Sequence, residues 1–198
     1  MEIAWRPTIG DPTVTGWLAV CLYAAVSSVA LTLAAACRPP IFQRPELRFW
    51  AFLALSFAAL SVNKQLDLQS LMTELGRLLA KEHGWYNTRR YVQGAFIVGV
   101  GASALLGLLT VVALSLRAPW PNRIAQLGTA LVIAFVAIRA SSFHGMDLFI
   151  SYEPIPHLRM NAVLELGGIT LVLLGSVWRL IDALGRVRSR QHWDFEAS

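Results

Sequence analysis

Five stretches of this chain have almost nothing to offer water. They cover about residues 16–36, 49–65, 91–116, 124–145 and 161–182. A helix rises 1.5 Å per residue, so about 20 apolar residues cross a hydrocarbon layer about 30 Å thick, with tilt absorbing a few residues either way. Length and polarity together point to an integral membrane protein, all-α, built as a five-helix transmembrane bundle. Only 15% of the 198 residues are charged and 56% are hydrophobic, whereas a soluble domain carries about 25% charged residues. No connecting segment is long enough for a separate soluble domain. The expected organisation is therefore one helical domain over 1–185 and a short, loosely ordered tail over 186–198.

The second stretch is the awkward one. Its purely apolar part, 49–62, is only about two-thirds of a span. It reaches full length if the following "NKQLDLQ" belongs to the same helix, so the polar residues there read as the end of a span and not as a loop. Beyond it, Leu66, Leu71, Leu75, Leu78 and Leu79 form an apolar stripe opposite Glu74, Arg77, Lys81 and Glu82. That pattern predicts an amphipathic helix over 65–83, lying along the membrane surface or leaning into the bundle. In the third stretch Ala95, Gly99, Ser103 and Gly107 place a small residue at every fourth position, a pattern for close approach of a neighbouring helix.

Loop charge sets orientation. Arg38, Arg44 and Arg48, then Arg117 and Arg123, then Arg186, Arg188 and Arg190 fall on one side, which the positive-inside rule assigns to the cytoplasm. The opposite side carries Arg6, Lys64, Arg77, Lys81, Arg89, Arg90 and Arg159, most of them in the segment expected to fold on the surface. The N-terminus is expected outside and the C-terminus inside. The first residues carry Glu2 and Asp11 against Arg6, which is not the positive n-region of a signal peptide. A net charge of +5 without basic residues interleaved with aromatics argues against nucleic acid. Cys21 and Cys37 are sixteen residues apart on one helix, about 24 Å, so they cannot bridge each other.

Three places break the apolar pattern, and this topology puts all three near the outer face. They are Asn63, Lys64, Asp67 and Gln69 after the second span; Arg139, Ser141, His144 and Asp147 at the end of the fourth; and Asn161 and Glu165 opening the fifth. Charges within a span are costly, so these groups are expected to face one another across a common outward-opening cavity, with Arg139–Glu165 and Lys64–Asp67 as natural pairs.

Three roles suit such a cluster better than a fourth, proton or ion transport, for which five spans with no visible repeat are an unpromising frame. It can be a network that fixes helix register. It can be a site for a small anion or lipid headgroup, with Arg139 and Lys64 as the cations and His144 as a proton carrier. It can be a metal site built from His144, Asp147, Glu165 and Asp67, for which one histidine and no HExxH is a thin donor set. No residue stands out as catalytic and no cofactor is implied.

"NKQLDLQSLMTELGR", "RASSFHGMD" and "NAVLELGG" resemble the motifs of a group of uncharacterised bacterial multi-pass membrane proteins, over about residues 48–170. The resemblance implies a bacterial inner-membrane location and no particular chemistry. The multi-His pattern of membrane ceramidase-like hydrolases, the rhomboid Ser–His pair and the site-two zinc motif are not found. Two function classes follow. One is a non-enzymatic accessory or ligand- or lipid-binding protein, whose partners are the bilayer and a lipid headgroup or another membrane protein. The alternative is a membrane-embedded enzyme, such as a metal-assisted hydrolase, acting on a lipid or lipid-linked substrate.

Overall fold

The computed structural model describes residues 9–36, 42–66, 78, 98–99, 102, 105–109, 118–140 and 160–196, with the side chains of 139–140, 161 and 190–196 excepted. Four helices dominate: α1 (Val14–Ala36), α2 (Arg44–Leu66), α3 (Trp120–Ala140) and α4 (Met160–Glu196). Each contains a segment long and apolar enough to cross a membrane, and no strand occurs among the described residues. Of the expected third span, residues 98, 99, 102 and 105–109 are described and all are helical. The rest of that span and, apart from Gln65, Leu66 and Leu78, the expected surface helix lie outside the described residues.

The local chemistry explains where these helices start. Thr13 caps α1, its hydroxyl accepting from Gly16 N at 3.1 Å and its carbonyl from Trp17 N at 3.0 Å. Pro45 and Pro121 occupy the first turns of α2 and α3, where the missing amide has no intrahelical partner to lose. α2 runs through Asn63, Lys64 and Gln65 to Leu66, so these residues after the short apolar run are helical, while Asp67 and Gln69 lie outside the described residues. α4 differs from the expected tail. It continues past 182 through Gly185 to Glu196, 37 residues in all. The basic stretch after Gly185 contains no proline, and Arg and Gln are good helix formers, so nothing there forces an end.

Packing joins α1 to α2, α3 to α4, and the two pairs through α1 and α4. The α1 stripe Ala19, Tyr23, Val26, Ala30, Leu33 is buried at alternating steps of three and four residues. Two serines tie it to α2: Ser27 Oγ donates to Ala54 O at 2.8 Å, and Ser61 Oγ to Val20 O at 3.3 Å. Between them Tyr23 and Phe57 meet edge to face at 5.7 Å. These three contacts share one antiparallel register. Outside the core, Leu18, Leu31, Phe52, Leu55, Val62, Leu127, Leu174 and Ile181 are exposed. An apolar exterior around an apolar core is what a bundle immersed in lipid requires.

Backbone meets backbone between α3 and α4. A Cβ on Gly128 would lie 2.6 Å from Gly168 O and Val172 N, and one on Gly175 would lie 2.6 Å from Pro121 O and Ala125 N. Among the described residues, the close-approach surface is therefore on the last two helices. In the third stretch, a Cβ on Gly99 would meet nothing within 4 Å and one on Gly107 would only touch Ile133 at 3.5 Å. Gly99→Leu is accordingly expected to leave the melting temperature of the monomeric bundle unchanged, as thermal unfolding in detergent would show.

Candidate functional site

The apolar spans hold few ionisable side chains, and those the structure describes are gathered at two levels. At the first level lie the end of α2 and the beginnings of α1 and α4. Lys64 Nζ reaches Glu165 Oε2 at 2.8 Å and Asp11 Oδ2 at 3.2 Å. The Tyr23 hydroxyl donates to the other Glu165 oxygen at 3.2 Å. Glu165 is almost fully buried, with 5% of its side chain exposed. Its carboxylate can stay there because one cation and one hydroxyl face its two oxygens.

Asp11 comes from the segment before α1, which is strapped to the end of α2. Gly10 N donates to Gln65 O at 2.8 Å. Asp11 Oδ1 accepts from the Thr13 hydroxyl at 2.6 Å and from Thr13 N at 3.3 Å. Partial burial pushes the Asp11 carboxyl up, but the bonds from Thr13 and Lys64 and the Lys64 charge outweigh it and hold the group below its ordinary value. A carboxyl lowered in the folded state stabilises fully above its unfolded pKa, and that contribution vanishes as pH falls through the lowered value. Asp11→Asn is therefore expected to reduce stability at pH 7, with the difference from the native chain starting to shrink below about pH 4 and vanishing only once pH has passed the lowered value. Melting curves across that range check it.

Gly16 makes the strap possible, since a Cβ there would fall onto the Asp11 carboxyl group. Gly16→Ala should displace Asp11 and abolish the same pH dependence.

At the second level, about 21 Å along α4 (165 to 179), Arg179 grips Glu46 of α2 with Nε at 2.6 Å and Nη2 at 3.1 Å. Asn122 of α3 donates to the same Glu46 oxygen at 2.8 Å. The Arg179 guanidinium lies 4.1 Å over the Phe42 ring, and only 2% of its side chain is exposed. Arg179 Nη1, Asn122 Oδ1 and Trp50 Nε1 are buried with no hydrogen-bond partner among the described residues. One side chain from each of α2, α3 and α4 thus meets at a single carboxylate.

Of the residues singled out by sequence, the structure brings together Lys64 and Glu165. Asn63 is exposed on α2, apart from this pair. Arg139 lies on α3 and Asn161 on α4, but their side chains lie outside the described residues, as do Asp67, Gln69, Ser141, His144 and Asp147. Among the described residues, Glu165 is met by Lys64 and Tyr23. No group of three or more His, Cys, Asp or Glu side chains suited to a metal occurs among the described residues. Sequence reasoning passed over Asp11, Tyr23, Glu46, Asn122 and Arg179. Arg179 carried a usable signal, a lone arginine inside an apolar span.

No protein-family model, curated protein or solved structure matches the chain.

Proposed function

We propose that this is a non-enzymatic accessory protein of the bacterial inner membrane, a multi-pass helical scaffold whose ionisable groups lock its spans together. One observation carries this reading. The ionic groups turned into the bundle, among the described residues, are spent on each other, Lys64 on Glu165 and Asp11, and Arg179 on Glu46. A reaction site needs groups whose charge or protons are available to a substrate.

The resemblance of its motifs to a bacterial multi-pass membrane family supports the location. The arginine bias supports an N-terminus outside and a C-terminus in the cytoplasm. Fusion of a periplasm-active reporter to each terminus tests that orientation, and activity at the C-terminal fusion would reverse it.

The functional test is complementation of a deletion strain with variants shown to be folded. A scaffold tolerates His144→Ala, the one histidine of the outer motifs, and fails in proportion to lost stability when Glu165→Gln or Glu46→Ala weakens the bundle. Loss of complementation by a fully stable His144→Ala protein would overturn the scaffold and establish chemistry at the outer face.

A further inference from the structure

Arginines girdle the end of the bundle where α4 leaves it. Arg44 and Arg48 are one turn apart on α2 and exposed, Arg186 and Arg188 are exposed on α4, and Arg123 is half-buried in the first turn of α3. The acidic side chains described at this end do little to offset them. Glu46 is turned inward onto Arg179 at 2.6 Å, and Asp182 approaches Arg186 only to 3.9 Å.

The depth of these groups identifies what they face. Arg44 is twenty residues from Lys64 (44 to 64), about 30 Å along α2. Arg186 is twenty-one residues from Glu165 (165 to 186), about 31 Å along α4. Two separate helices therefore each set an outward arginine about one hydrocarbon thickness from the opposite charged level. Exposed Phe52, Leu55, Leu174 and Ile181 fill the interval. Trp120, 68% exposed, marks the boundary on α3, with the Arg123 guanidinium 5.1 Å over its ring. Side chains at that depth meet the phosphate layer of one leaflet, and guanidinium binds phosphate oxygens through paired, charge-assisted hydrogen bonds.

We propose that this end of the bundle selects anionic phospholipids, binding their headgroups through Arg44, Arg48, Arg186 and Arg188. The inference rests on the membrane placement of the helices and not on the scaffold reading. Basic groups beside a membrane are drawn to anionic headgroups within a Debye length, so the binding is salt-sensitive.

The test is native mass spectrometry of the full chain, purified into detergent and offered equal amounts of phosphatidylglycerol and phosphatidylcholine. The native chain is expected to retain phosphatidylglycerol several-fold over phosphatidylcholine, and less so at high salt. Arg44→Gln with Arg48→Gln, and separately Arg186→Gln with Arg188→Gln, should each reduce the enrichment, and the four changes together should remove it. The corresponding Lys substitutions should keep most of it. Melting curves confirm that each variant is folded, and these exposed positions tolerate the change. Equal retention of the two lipids by the native chain, or enrichment unchanged in both Gln pairs, would overturn the proposal.

Discussion

Glu46→Ala is expected to cost about 3–5 kcal/mol of stability, because it strands the Arg179 guanidinium in the bundle with the Phe42 ring as its described neighbour. Asn122 loses its described acceptor in the same step. The size follows from what remains, not from the worth of the pair. Removing both charges is a different experiment. Glu46→Leu combined with Arg179→Met replaces the pair with apolar side chains of comparable bulk, and such replacements are often neutral or better. The double variant should therefore be more stable than Glu46→Ala, a sign of coupling that simple addition does not give. Reversible denaturation in mixed micelles measures all three proteins. Equal stability of Glu46→Ala and the native chain would mean that Arg179 finds another partner.

The second large effect is steric. Gly128→Ala and Gly175→Ala each place a carbon 2.6 Å from backbone atoms of the facing helix. A backbone cannot swing aside as a side-chain tip can, so α3 and α4 must separate along their whole contact. The loss is expected to be at least the 1–3 kcal/mol typical of overpacking, about the same for either variant. Gly167 supplies the control on the same helix. It is exposed, and a Cβ there meets nothing within 4 Å. Gly167→Ala should stabilise by about 0.5–1 kcal/mol, since alanine loses less backbone freedom in a helix. Thermal scans of the three variants in one detergent should therefore move in opposite directions, and a shared direction would refute the close contact.

Much of the architecture was legible because lipid asks one question of a helix, whether it is apolar for long enough. That question picked out α1, α2, α3 and α4, and it carried α2 through Lys64, where polarity alone would have stopped it. It could not see the helical extension of α4, since nothing in "GRVRSRQHWDFE" breaks a helix and nothing apolar demands one.

The site was legible only in part. Lys64 and Glu165 stood out as charges at span ends, and they do meet. Their other partners were hidden for different reasons. Asp11 precedes the first span and is brought back by a strap that depends on Gly16. Tyr23 looks like any aromatic in an apolar run. Arg179 and Glu46 are 133 residues apart in sequence, and pairing over that distance is a property of the packed helices. The backbone-close glycines Gly128, Gly168 and Gly175 were not singled out, because small residues at every fourth place mark a surface able to accept a neighbour without saying how near it comes.

The two charged levels have a consequence for membranes of unequal thickness. Lys64–Glu165 and Glu46–Arg179 both join α2 to α4, one near each end of the pair. Two helices pinned at a single point can pivot or slide past each other when the bilayer thins. Pinned at two points, they cannot change their relative height without breaking a buried ion pair. Hydrophobic mismatch must then be answered by tilting the bundle as one piece or by deforming the lipid around it. Stability should consequently pass through a maximum as acyl-chain length is varied, falling in shorter and in longer lipids alike.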